Sequence, residues 1–157
     1  MSAECPQLIF VSADETARHA ALLGTNLRDG DTLLLSGEVG AGKTHFARSL
    51  IQSLMAQPED VPSPTFTLVQ TYETKVGEVW HADLYRLTST LEIEELGLTE
   101  AFDSAICLVE WPDRLGPLAP DDALELIFEE GETEDQRRIT LNWTAPKWHK
   151  KLLPWLS

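Results

Sequence analysis

Apolar and polar positions along the chain alternate between two periods, and the switches between them outline a fold. Leu8 to Val11 is a short apolar run that reads as a strand. Ser12-Ala13-Asp14-Glu15 then matches a capping box, and Ala17, Ala20, Ala21, Gly24 and Leu27 lay a narrow stripe of small apolar side chains along the helix it opens. Asp29-Gly30-Asp31 turns the chain. Thr32 to Ser36 follows as a continuous apolar run, the mark of a strand buried on both faces. Phe46, Leu50, Ile51 and Leu54 return to helical spacing until Pro58 ends it.

The second half is more broken. Val61-Pro62-Ser63-Pro64-Thr65 is a proline-stiffened loop that cannot be helical. Phe66 to Tyr72 and Glu78 to Asp83 read as strands, and Glu73 to Gly77 between them as a hairpin turn, which makes the pair antiparallel. Ser89-Thr90-Leu91-Glu92 opens a short helix that Gly97 ends, and Ala105 to Glu110 is a second apolar strand. Pro112, Pro117 and Pro120 mark a long connection, after which Ala123 to Glu130 and Arg137 to Trp143 alternate as a closing hairpin. No internal repeat or low-complexity segment interrupts this order.

The sharpest chemistry lies between the buried strand and its helix. Gly37, Gly42, Lys43 and Thr44 complete G-x-x-x-x-G-K-[ST], the phosphate-binding loop signature, in the required order of strand, loop and helix. A phosphate chain needs backbone N–H donors at close range, and glycine lets the loop wrap inward without a Cβ in the way. The helix that follows aims unpaired N–H groups and its positive end at the same phosphates. Lys43 is placed to reach the β- and γ-phosphates and Thr44 to bind Mg²⁺. With strands and helices alternating around that loop, the chain reads as one α/β domain over residues 1–157. Its expected form is a three-layer, P-loop NTPase-like fold with a mostly parallel central sheet and antiparallel hairpin strands; residues 144–157 form an amphipathic tail or helix.

Composition narrows the partners. The net charge of −14 over 157 residues repels a polyphosphate backbone, so a salt-sensitive grip on nucleic acid is excluded over most of the surface. The exception is the end of the chain, where Arg137, Arg138, Lys147, Lys150 and Lys151 gather with Trp143, Trp148 and Trp155. Such a mixture fits either a single-strand binding surface or an amphipathic helix laid on the sheet. No apolar run reaches the length of a membrane span, and MSAECPQLIF lacks a basic region followed by an apolar one, so a cytoplasmic protein is expected. Cys5 and Cys107 are far apart and without metal-ligand spacing, and read as reduced thiols.

A phosphate loop also needs a carboxylate at a neighbouring strand end to hold Mg²⁺. Glu110 ends AICLVE and Asp83 ends EVWHAD, with His81 on the same face two residues earlier; the residues alone leave open which carboxylate meets the metal. Thr65, in the proline loop, stands where a switch threonine could sense a γ-phosphate. No N-K-x-D guanine signature is present, so adenine is the expected base. No arginine is obviously placed as a finger, although Arg48, Arg86 and Arg114 are available.

Taken together, GEVGAGKT, SPTFTLVQTYE, HADLYRL and AICLVEW resemble the TsaE (YjeE) family of bacterial proteins, in that family's order and spacing from about Asp14 to Pro112. The resemblance implies an ATPase needed for N6-threonylcarbamoyladenosine at position 37 of tRNA. Such a protein works with TsaD and TsaB partners and meets tRNA only through them. Carried over residue by residue, it implies that Gly40, Ala41, Gly42, Lys43 and Thr44 bind phosphates, with Thr44 and Glu110 on Mg²⁺. Asp83 corresponds to an aspartate that activates or orients water, Thr65 falls in the SPT[FY]T loop, Trp111 in the EW pair, and Glu15 near the nucleotide. His45, next to Thr44, joins the nucleotide-site positions and is expected to point into its helix, where variation is tolerable. A small-molecule kinase and a nucleotide-sensing module without turnover share the loop and remain open.

Overall fold

Strands β1 (Gln7–Phe10), β2 (Thr32–Gly37), β3 (Val69–Thr74), β4 (Gly77–Asp83), β5 (Ile106–Glu110), β6 (Leu124–Glu130) and β7 (Arg137–Asn142) form one sheet in the order β1-β7-β6-β2-β5-β4-β3. The coordinates are a computed structural model that describes residues 6–38, 40–57, 59–62, 64, 68–87 and 89–156. The four inner strands β6, β2, β5 and β4 run parallel, and β3, β7 and β1 join antiparallel. The hydrophobic runs explain that arrangement. β5 is buried at every position, which a strand achieves only with helices on both faces.

Two cores lie on the two faces. Leu33, Leu35, Ile106, Leu108 and Phe128 point to one side, where they meet Phe46, Leu50 and Ile51 of α2 (Lys43–Leu54) and Ala20 and Leu23 of α1 (Ala13–Gly24). Cys107, Val109 and Ala82 point to the other, against Ile93 of α3 (Thr90–Glu95), Phe102 of α4 (Leu98–Ser104) and Leu115 of a 3-10 helix at Pro112–Leu118. The expected three-layer α/β architecture is therefore present. As expected, Ser12 caps α1, its hydroxyl accepting the Glu15 N–H at 3.1 Å.

Departures from the sequence reading have local causes. Gly97 ends α3, as expected, and with φ +80° it also begins α4, whose seven residues are too few to display a helical period. The hairpin between β3 and β4 is tighter than expected, since Thr74 already pairs with Gly77 and Glu73 with Glu78. Pro58, Phe66 and Cys5 lie outside the described residues. Cys107 is a buried free thiol, pushed up to about 12 by burial, as a core cysteine should be.

At the chain's end, α5 (Lys147–Lys151) and α6 (Leu153–Leu156) close over the first core. Trp148 and Trp155 are buried, and their indole N–H groups donate to the Asp122 and His19 carbonyls at 2.6 and 2.9 Å. The basic, aromatic end is thus an amphipathic helix pair. Its single-strand alternative fails because the aromatic faces that bases would stack on are inside the protein. Lys147 and Lys151 turn to the buried Asp31, at 3.0 and 2.6 Å. Asp31 also accepts the Arg28 N–H at 2.9 Å. Burial would lower the Lys147 amine, but its bonds to Asp31 and Asp122 outweigh that and hold it above the usual lysine range. Asp31→Ala, which removes the carboxylate both lysines share and leaves Lys147 only Asp122 and Lys151 only the Asn26 carbonyl, is expected to cost roughly 2 kcal/mol, below the fully buried case because the lysines are partly solvated. Urea denaturation checks this as a lower midpoint with an unchanged slope.

Candidate nucleotide and metal site

Two glycines set the loop between β2 and α2. Gly37 has φ +139°, and a Cβ there would stand 2.5 Å from the Phe128 carbonyl oxygen, so only glycine lets β2 leave β6 at this point. Gly42 has φ +102° where α2 begins, and its carbonyl accepts the first helical bond, from Phe46 N–H at 3.0 Å. The free N–H groups of the first turn therefore open onto a cleft of about 530 Å³ at the carboxyl ends of β2, β4 and β5.

Lys43 bends back over the loop. Its Nζ donates to the Gly37 carbonyl and lies 3.5 Å from the centroid of the Trp111 ring. Burial lowers its pKa, against the opposing pull of Glu110, Asp83 and Asp113. Trp111 reaches that position from a left-handed backbone (φ 60°, ψ 54°), an uncommon state for a bulky residue, and its ring also meets Tyr85 at 4.8 Å. The strain is local and sits over the lysine, where such outliers tend to have a use.

Beside Lys43, the Thr44 hydroxyl donates to Glu110 Oε1 at 2.7 Å, and His81 Nε2 donates to Glu110 Oε2 at 2.7 Å. The parallel register sets Asp83 directly across from Glu110, so both carboxylates end neighbouring strands and both are buried. Asp83 Oδ1 accepts the Tyr85 N–H at 3.0 Å. Among the described residues no three His, Cys, Asp or Glu side chains gather into a protein-only metal cage. A hydroxyl bonded to a buried carboxylate beside a helix N-terminus is nevertheless the donor set Mg²⁺ takes, because that ion uses one or two protein ligands and fills its shell with phosphate oxygens and water.

Of the expected positions, Gly40, Gly42, Lys43, Thr44, His45, Asp83, Glu110 and Trp111 all line this cleft. Gly37 and Ala41 stand behind it, Gly37 through its carbonyl and Ala41 as a buried residue whose N–H donates to Glu38 at 3.1 Å. His45 does not point into its own helix; its Nε2 donates to the Ala13 carbonyl at 3.0 Å and ties α2 to α1. Glu15 sits in the first turn of α1 with its carboxylate 3.8 Å from Arg18. Its neighbours Ala13 and Thr16 line a smaller adjoining cleft of about 100 Å³, and Glu15 does not. Thr65 lies outside the described residues.

None of the three arginines available as a finger, Arg48, Arg86 and Arg114, lines the cleft. Arg48 donates to the Val61 carbonyl at 2.8 Å and anchors the following loop, and Arg114 is exposed on the 3-10 helix. Arg137 lines both clefts instead, its Nε 3.3 Å from where a Gly42 Cβ would be and its Nη1 on the Glu134 and Gln136 carbonyls at 2.6 and 2.9 Å. Only the strand order, with β7 and β6 folded back beside β2, brings it there. Tyr85 also lines the larger cleft, its mark in the sequence being its place two residues after Asp83 in HADLYRL.

A family model described as threonylcarbamoyl adenosine biosynthesis protein TsaE matches residues 10–139. The chain is 40% identical over 122 residues to a Rickettsia felis protein named tRNA threonylcarbamoyladenosine biosynthesis protein TsaE, covering 78% of this chain and 71% of that one. A Bacillus subtilis protein of the same name is 36% identical over 131 residues, 83% of this chain and 80% of that one. The crystal structure of Bacillus subtilis YdiB superposes with a TM-score of 0.80 at 27% identity, over 96% of this chain and 93% of that one.

Proposed function

The chain belongs to the TsaE family of tRNA threonylcarbamoyladenosine biosynthesis proteins, and from that premise we propose that it binds and hydrolyses ATP as an accessory subunit of the pathway. In this reading it acts in the cytoplasm with TsaD and TsaB partners, which hold the tRNA. The observation that carries the proposal is the convergence of Lys43, Thr44 and Glu110 at the N-terminus of α2, with Asp83 alongside.

Each residue has a role set by its position. The first-turn N–H groups of α2 and the Gly40–Gly42 backbone bind the phosphates, and Lys43 exchanges the Gly37 carbonyl for a phosphate oxygen. Thr44 and Glu110 would hold Mg²⁺, which supplies charge neutralisation on the phosphate oxygens. Asp83 orients the attacking water, and Trp111 and Tyr85 wall the cleft and limit stray water. Catalysis here is orientation and electrostatics, since phosphoryl transfer asks for little covalent chemistry. The acidic surface suits the same picture: a subunit of net charge −14 meets basic faces of a partner more readily than RNA itself.

Turnover by the isolated chain is expected to be slow. Arg137, the arginine lining the cleft, is engaged with backbone carbonyls, and a missing arginine finger commonly costs 10³- to 10⁵-fold. Phosphate release measured with and without the partner complex tests this. Strong stimulation supports the accessory ATPase; tens of turnovers per second by the chain alone contradicts partner dependence, and negligible release under both conditions leaves a nucleotide-sensing module.

A further inference from the structure

His81 is fully buried in β4, between Trp80 and Ala82 in sequence and opposite Leu108 on β5. An apolar side chain would fill that place at no polar cost. The imidazole instead leaves its Nδ1 buried without a hydrogen-bond partner among the described residues, a loss of about 1–3 kcal/mol for a group of this kind. Among the described residues its polar contact is with Glu110 Oε2, at 2.7 Å. A carboxylate only accepts, so Nε2 carries the proton that is donated to Glu110. The neighbouring oxygen, Oε1, is the one that faces Thr44.

Resting on the reading of Thr44 and Glu110 as the magnesium-binding pair, we infer that His81 is a positioning residue for that pair. Its ring N–H occupies one Glu110 oxygen and thereby fixes the other toward Thr44 and the metal. The ring stands on a strand inside the sheet rather than on a loop, so the carboxylate is held before any ligand arrives. Partners of this type typically change metal affinity by 10- to 100-fold when removed.

The test measures equilibrium binding of a non-hydrolysable ATP analogue to the full chain while Mg²⁺ is titrated, with a parallel titration in EDTA. His81→Leu is expected to raise the Mg²⁺ midpoint about tenfold or more while analogue affinity in EDTA changes less than about threefold. His81→Gln, whose amide N–H can take the place of Nε2–H, is expected to restore the midpoint. Should the leucine variant fail to fold, His81→Asn, whose amide stops short of Glu110, stands in for it with the same expected rise. Adding His81→Leu to Glu110→Gln is expected to cost nothing further, because the histidine acts through that carboxylate. A wild-type midpoint in folded His81→Leu or His81→Asn, a raised midpoint in His81→Gln, or a full additional loss on Glu110→Gln each overturns the inference while the site assignment stands. If the wild-type chain binds the analogue equally with and without Mg²⁺, the proposed function falls, and this inference with it.

Discussion

Lys43→Ala is expected to reduce partner-stimulated phosphate release by at least about 10²- to 10³-fold, the usual consequence of deleting one pre-placed charge that stabilises a transition state. Threonylcarbamoyladenosine formation should fall with it. The reason lies in where the amine is kept. Lys43 is buried at the cleft floor, bonded to the Gly37 carbonyl and covered by Trp111, so its charge is held in place before any phosphate arrives. The same variant should not be less stable. Burial lowers the amine's pKa in the folded chain, so at neutral pH its charge opposes folding; that cost fades only as pH rises towards the ordinary lysine value. Removing the amine removes the cost, and the melting temperature should hold or rise. Phosphate release and thermal melting on one preparation separate the two effects. Full support of tRNA modification by Lys43→Ala would show that hydrolysis at this site is not needed.

What the sequence discloses about the site follows chain continuity. The strand, loop and first helical turn that hold Gly37, Gly42, Lys43 and Thr44 are contiguous, so the motif and its surroundings are legible together. Glu110 and Asp83 are legible one step less directly, as charges closing apolar runs, and the parallel register of β4 and β5 then sets them side by side. The Glu110 pairing is harder, because Thr44 and His81 select it through contacts between α2, β4 and β5 that no local pattern encodes. Arg137 is the extreme case. Its sequence neighbours mark it only as part of a basic cluster, and it reaches the loop because β7 follows β6 back across the sheet. The helix α4 is not legible for a different reason, being only seven residues long after a glycine that also ends its predecessor.

Trp148→Ala is expected to lower the unfolding free energy by about 3–5 kcal/mol, a large share of the roughly 5–15 kcal/mol typical of such chains. Trp148 is 0% exposed and packs in the core that also holds Phe46, Phe128 and Trp155. Truncation would leave a cavity there and strip the Asp122 carbonyl of its indole donor at 2.6 Å. Chemical denaturation measures the effect, with Lys150→Ala, an exposed neighbour on α5, as a control expected within about 0.5 kcal/mol. The pair also separates two meanings of a basic, aromatic chain end. If the end were a nucleic-acid surface, the lysine would weaken RNA binding and the tryptophan would be cheap to remove. A core element predicts the reverse: the tryptophan is costly and the lysine neutral, because the indole ring belongs to the layer that supports α2, and α2 carries Lys43 and Thr44. A loss below about 1 kcal/mol for Trp148→Ala would mean that α5 is not packed as described, and the chain end would again be available to a partner.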